Sequence, residues 1–187
     1  MDRLGCLEDN SKIKLGEWIT AEPVHCHQRL LENTLVSKVR FTSEDKVSAE
    51  ISFKFIPQEL PFFFDHDIDH LPGMLEINAM RQATLAMAHL LYDVPLDFVA
   101  LLDWMDIRLF NYGELNIPTT AKSKLLGSSR SRHKITLTLD GLMVQGAVPI
   151  MRATGKLVML SCALARKTRH KKLTQEQIAR KDTWINL

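Results

Sequence analysis

The chain has 187 residues, 45% of them apolar and 25% charged, with a formal net charge of +2. That length carries one sizeable core rather than two domains, and that balance excludes a disordered chain. No apolar run reaches the roughly 18–20 residues needed to cross a bilayer. The opening stretch, MDRLGCLEDNSKIK, is polar and lacks the apolar segment of a signal peptide. A soluble cytoplasmic protein is therefore expected, without membrane insertion. Cys6, Cys26 and Cys162 are odd in number and have no CxxC spacing, so they read as reduced thiols.

The positive charge is unevenly placed. RKTRHKK, from Arg166 to Lys172, holds five positive charges and no acid. It reads as a solvated segment leading into a final helix, or as a contact for an anionic partner such as a carrier protein or a phosphorylated cofactor. Without aromatic interleaving or zinc-finger spacing, nucleic acid is not an expected partner.

In chain order, residues 1–23 read as an extension with Trp18 as an anchor onto the domain. Two β-like stretches follow, LLENTLVSKVRF and VSAEISFKF, separated by the turn-like SEDK. In the second, Val47, Ala49, Ile51, Phe53 and Phe55 alternate with polar neighbours, the period of a strand with one buried face. A hairpin is predicted. IPQELPFFFDHDIDHLPG, with three prolines, predicts a long loop. MLEINAMRQATLAMAHLL, from Met74 to Leu91, lacks proline and glycine and predicts a helix. It is apolar nearly all round, with a thin polar stripe of Asn78, Arg81, Gln82 and His89, so it is expected to be buried on most faces. Pro72 suits its first turn and Tyr92-Asp93-Val94-Pro95 its stop. FVALLDWMDIRLF, TTAKSKLLGSS, KITLTLDG and GKLVMLSCALA then read as strands, with Pro149 interrupting the region between Gly146 and Gly155. Strands before and after one apolar helix imply an α+β domain whose antiparallel sheet curves around that helix. The domain is expected over 24–165, with a basic helical segment at 166–187.

FDHDIDHLPGMLEINAMRQ concentrates the chemistry, and its residues allow three readings. In the first, the acids complement the positive helix end and the histidines are simply hydrogen-bonded. In the second, Asp65, His66, Asp67, Asp69 and His70 bind a divalent metal, although Pro72 disfavours the helical geometry that such a pair of histidines needs. In the third, the unpaired amides at Gly73 and Met74 polarise an acyl-thioester carbonyl. His66 or His70 then serves as base or acid, and Asn78 and Gln82 position the substrate or a water.

The string DHDIDHLPGMLEINAMRQA resembles the signature of the A-factor biosynthesis (AfsA-type) hot-dog family, in which DH-xx-DH-x-PGM enters a helix ending in an A-x-RQA-like pattern. Val24-His25 and the strand containing Leu35-Val36 are similar to that family's opening. The likeness spans roughly 24–160, with Asp65–Ala83 as its specific core. PGMLEINAMRQA is more distantly similar to the helix of hot-dog 3-hydroxyacyl carrier-protein dehydratases.

The resemblance implies a helix wrapped by a curved sheet and chemistry on acyl thioesters, borne by acyl carrier protein or coenzyme A. It further implies transfer of a β-ketoacyl or fatty acyl group to a hydroxyl acceptor such as dihydroxyacetone phosphate, in synthesis of a γ-butyrolactone-like signal or another secondary metabolite. His66, His70 and Asn78 are then the candidate catalytic residues. Asp65, Asp69, Gly73, Met74, Arg81 and Gln82 are candidate substrate contacts, with Arg81 toward a phosphate. No metal or other cofactor is expected. Two departures bear on this. Asn78 stands where both relatives carry glutamate, which argues against dehydration because asparagine exchanges no proton near neutral pH. Glu76 lies about 200° around the helix at ~100° per residue and is not expected to substitute. Signalling enzymes of the family typically carry two such domains, so the single copy here predicts a homodimer. Acyl transfer is the first reading and thioester hydrolysis the second; a non-catalytic acyl-binding partner subunit is the rival. Phe62, Phe63 and Phe64 are expected either in the core or along an acyl tunnel.

Overall fold

The computed structural model describes residues 13–65 and 67–171. His66 and everything after Lys171, including the end of the basic run, lie outside the described residues. Seven strands form one antiparallel sheet: β1 (Ile19–Thr20), β2 (Val36–Phe41), β3 (Ser48–Phe53), β5 (Phe98–Leu109), β7 (Thr119–Arg130), β8 (Lys134–Gln145) and β9 (Val148–Ser161), in the order β1-β2-β3-β7-β8-β9-β5. Two short strands, β4 (His70–Leu71) and β6 (Gly113–Glu114), pair separately. The long helix α1 (Gly73–Leu90) packs against the large sheet, and α2 (Cys162–Lys171) follows the last strand. This is the hot-dog arrangement of one long helix against an antiparallel sheet.

The β2–β3 hairpin forms as its pattern predicts. Ala49, Ile51 and Phe53 turn inward while Ser48, Glu50 and Ser52 alternate outward. In β2 the burial skips from Val36 to Val39 because the register shifts between Val36 and Lys38. A bulge of this kind flips the faces of all later side chains. The stretch LLENTL is not strand: Leu31–Asn33 form a short 3-10 helix, and Leu30 and Leu31 are exposed. Pro149 does not break β9, because it lies where the β8–β9 register shifts beside Val144, a place that tolerates a missing amide donor. The strand predicted to run on through Cys162 ends instead at Ser161, where α2 begins.

Trp18 does anchor the start of the domain, with the Arg40 guanidinium 4.2 Å over its ring. Pro72 is the N-cap of α1, one position before the first helical residue. After the helix, Asp93 takes a left-handed conformation (φ 56°), and Arg130 donates to the carbonyls of Tyr92 and Asp93. Arg130 therefore closes the helix end. Along α1, Leu75, Ala79, Ala83, Leu85, Ala86 and Met87 enter the core. Full burial of such a leucine contributes about 1.5–3 kcal/mol.

Two residues of the polar stripe, Gln82 and His89, are buried. The Gln82 side chain accepts from the Leu35 amide at 2.8 Å and donates to the Asn33 carbonyl at 2.9 Å. His89 Nδ1 hydrogen-bonds the Val94 carbonyl at 2.8 Å, and its Nε2 lies 2.9 Å from His27 Nε2. Because a carbonyl only accepts, Nδ1 of His89 carries the proton and His27 supplies the hydrogen between the two rings. These contacts clamp the chain from Pro23 to Leu35 against the helix.

Among the described residues β5 ends the sheet and pairs on one side only, with β9. A register shift between Leu102 and Trp104 changes which side chains face the helix: Ala100 and Leu102 before it, Met105 after it. Asp103 reaches Lys156 Nζ at 2.8 Å. Val99, Leu101 and Trp104 remain exposed.

Candidate functional site

The approach to α1 determines what its first turn offers. Leu75 and Glu76 donate their amides to the Pro72 carbonyl at 2.8 and 3.1 Å. No side chain caps the helix, and the amides of Gly73 and Met74 have no protein acceptor among the described residues. They are free donors at the positive end of an 18-residue helix.

Two cavities flank this turn. The larger, about 820 Å³, runs between α1 and the inner face of the sheet. Its walls are apolar, drawn from Met74, Ile77, Met80, Leu102, Leu139 and Leu157, with Phe62 and Phe63 from the loop. Asp65, Asn78, Arg81 and Lys156 supply polar groups around it. Arg81 donates through Nε and Nη2 to Asn78 Oδ1 at 3.1 and 3.0 Å, and no carboxylate pairs with it among the described residues. Phe62 is exposed, whereas Phe63 and Phe64 pack partly against the core.

The smaller cavity, about 420 Å³, is lined by His70, Gly73, Glu76, Leu109 and Tyr112, with Leu71, Phe110 and Asn111 completing it. His70 Nδ1 lies 2.8 Å from Asp69 Oδ1, and its ring stacks at a tilt on Tyr112 with centroids 4.8 Å apart. A carboxylate at Nδ1 fixes the proton there and leaves Nε2 as the basic nitrogen. The bond from His70 also holds the Asp69 carboxyl below its ordinary range. Glu76 is only 2% exposed. Burial pushes its carboxyl up to about 7, opposed by a backbone hydrogen bond from Gly113 and by the charge of His70. Gly113 packs closely here: an added Cβ would lie 2.8 Å from Glu76 Oε1 and 2.9 Å from Leu71 Cδ1, so those side-chain ends would have to shift.

The fold thus divides the residues that the sequence grouped together. Asp65, Met74, Asn78 and Arg81 border the large cavity; His70 and Gly73 border the small one; Asp69 is exposed behind His70. Gln82 lines neither cavity, and both ends of its amide are engaged by backbone. Glu76 and Asn78 do lie on different faces, as the helical angle requires. Sequence reasoning missed that the described histidine of the motif accompanies Glu76 rather than Asn78. The available signal was the single acidic residue of the helical run, Glu76. Tyr112 and Gly113 carried none, because they reach the site only through the β4–β6 pairing. Among the described residues, no three of His, Cys, Asp and Glu are grouped to hold a metal ion, and no helix is long and apolar enough to cross a membrane.

Residues 11–161 match the model of the A-factor biosynthesis hotdog domain. No curated protein sequence matches the chain. Among solved structures, a hypothetical thioesterase with coenzyme A from Streptococcus pneumoniae TIGR4 is 13% identical, over 62% of this chain and 80% of its own, with a TM-score of 0.41. A protein of Helicobacter felis is 14% identical over 71% of this chain and 93% of its own, at a TM-score of 0.45. A mutant thioesterase from Pseudomonas aeruginosa is 15% identical over 65% of this chain and 81% of its own, at 0.43.

Proposed function

The chain belongs to the A-factor biosynthesis hotdog domain family, and from that premise we propose that it transfers a fatty acyl or β-ketoacyl group from a coenzyme A or carrier-protein thioester to a hydroxyl acceptor. The observation that carries this reading is the apolar cavity of about 820 Å³ that reaches Met74 in the first turn of α1, where the amides of Gly73 and Met74 have no acceptor among the described residues. An acyl chain fills the cavity, and its thioester carbonyl meets amide donors that need no reorganisation as negative charge develops. Arg81, without a carboxylate partner among the described residues, suits an anionic group on the donor, such as the phosphate of a pantetheine arm.

Chemistry follows from the donors and the base. His70 Nε2 takes the proton of the acceptor hydroxyl as its oxygen bonds to the thioester carbon. The tetrahedral oxyanion is held at the helix start, the carbon–sulfur bond then breaks, and the leaving thiolate takes the proton from His70. Water in place of the alcohol gives hydrolysis. Asn78 supports neither proton step. Its carbonyl oxygen is occupied by Arg81, which fits a fixed positioning group and also favours the rival reading of an acyl-binding subunit without catalysis.

The exposed twelve-residue edge of β5, with Val99, Leu101 and Trp104 outward, supports assembly with a second copy of the chain. The functional test is product analysis. The protein is incubated with acyl- and β-ketoacyl-coenzyme A, with and without hydroxylated acceptors, and products are read by mass spectrometry. Ester formation upholds transfer. Free acid alone moves the assignment to thioesterase, and thioester that binds but stays intact favours the non-catalytic subunit.

A further inference from the structure

We propose that Met80 sets the length of the acyl chain: its thioether end, lying over Gly141, separates an outer part of the large cavity from an inner part, so that the site takes medium-length chains and disfavours long ones. This rests on the reading that an acyl chain occupies that cavity, and adds which chains it accepts and the residue that decides it.

The cavity has a mouth and a blind end. Its walls draw on β3, β7, β8, β9 and β5, five strands that lie side by side in that order. At β5 and the start of α1 the walls are exposed: Leu102, Met74 and, from the loop, Phe62. At β3 and β7 and in the later turns of α1 they are buried: Ile51, Ser123, Ala83 and Met87. A chain whose carbonyl sits at the first turn of α1 therefore enters beside β5 and points toward β3.

Gly141 lies on β8, the middle strand of the five. Its register neighbours are small, Ser123 on β7 and Ala153 on β9, so the sheet leaves a shallow passage along this row. Met80 fills that passage from the helix. A Cβ added at Gly141 would collide with Met80 Cε and lie 4.0 Å from its Sδ, so the end of the methionine rests on bare backbone. Two distances agree on where this stop falls. From Met74 to Met80 the helix advances about 9 Å at ~1.5 Å per residue. From β5 to β8 is two strand spacings, roughly 10 Å. A zigzag hydrocarbon with bonds of ~1.5 Å advances roughly 1.3 Å per carbon, so the outer part suits about eight carbons.

Methionine fits such a stop, because its unbranched, flexible side chain fills an irregular gap without fixing the walls around it. Beyond it the inner part stays suited to hydrocarbon. The Ser123 hydroxyl there is already engaged, donating to the Asp140 carbonyl at 3.1 Å. Cutting Met80 back therefore joins two apolar spaces into one longer one.

The test uses the full chain and non-hydrolysable acyl-coenzyme A analogues with butyryl, octanoyl and palmitoyl chains, with affinities measured by isothermal titration calorimetry. The wild type is expected to bind the octanoyl analogue at least tenfold more tightly than the palmitoyl one. In Met80→Ala the ratio of palmitoyl to octanoyl affinity should rise at least tenfold. Gly141→Ala adds a methyl group where Met80 Cε lies and narrows the passage, so octanoyl affinity should fall at least fivefold relative to butyryl. Thermal melts check that both variants fold, and Gly141→Ala carries the test alone if Met80→Ala does not. A wild type that binds palmitoyl as tightly as octanoyl, or a variant whose ratio is unchanged, overturns the proposal and leaves the acyl site standing. If no analogue binds the wild type or either variant, the acyl reading itself fails and the stop with it.

Discussion

Replacing Gln82 with leucine removes an amide that joins α1 to the segment before β2 while keeping an apolar side chain of similar length. The wild-type oxygen accepts from the Leu35 amide at 2.8 Å and the nitrogen donates to the Asn33 carbonyl at 2.9 Å. Leu35 is fully buried, so its amide cannot turn to water after the substitution. Leaving one buried donor unsatisfied costs about 1–3 kcal/mol. Asn33 is exposed, and its carbonyl recovers most of its loss from solvent. The net expectation is about 2 kcal/mol of destabilisation, read as a lower urea midpoint at unchanged slope. Below saturation of the unfolding transition, turnover per folded molecule stays at the wild-type level, because Gln82 lines neither cavity. A loss under 0.5 kcal/mol refutes the structural role. A fall in turnover of tenfold or more in the folded variant returns Gln82 to the substrate contacts proposed from sequence.

The remaining predictions concern protonation, close packing and assembly. Burial, then the charges of His89 and Arg81, lowers the pKa of His27, and burial lowers that of His89, each below the ordinary 6.5. The unfolded chain therefore binds these protons first: stability is intact above pH 6.5 and is lost as pH falls through the lowered folded values. Urea midpoints should drop between pH 7.5 and 5.5, and His89→Gln should flatten that drop; an equal drop in the variant contradicts the pairing. Glu76 has the opposite sign. Its pKa rises from 4.5 to about 7, so its contribution is lost as pH climbs from 4.5 through 7, and Glu76→Gln should raise the midpoint most at pH 8. Gly113→Ala places a methyl group 2.8 Å from Glu76 Oε1 and 2.9 Å from Leu71, and should destabilise by about 1–3 kcal/mol in thermal melts. Trp104→Glu puts a charge on the exposed side of β5 and should weaken the proposed self-association, read as a lower sedimentation coefficient than the wild type; an unchanged coefficient contradicts an interface at β5.

The parts legible in the sequence were those set by local periodicity. Alternation in VSAEISFKF located β3, and an uninterrupted run of good helix formers bounded α1 to within one residue at each end. The stretch LLENTL misled because Leu30 and Leu31 look like strand residues yet are exposed. Pro149 misled in the other direction, since only the register shift opposite it reveals why the strand survives. The candidate site was readable as a motif but not as a geometry. Asp69, His70 and Gly73 sit together because they are adjacent in sequence. Glu76 gains its meaning from Tyr112 and Gly113, delivered after β5 by pairing between β4 and β6. The role of Gln82 likewise depends on carbonyl and amide groups in a distant loop. Such tertiary partners leave no periodic trace.

The central claim is that an acyl chain lies between α1 and the sheet with its carbonyl at the helix start. A crystal structure with a non-hydrolysable acyl-coenzyme A, the thioester sulfur replaced by methylene, tests it most directly. The account predicts the chain in the cavity bordered by Ile77, Leu102 and Leu157, with the carbonyl oxygen within hydrogen-bond reach of the Gly73 or Met74 amide. An acyl chain bound elsewhere, or a carbonyl turned away from both amides, would contradict it.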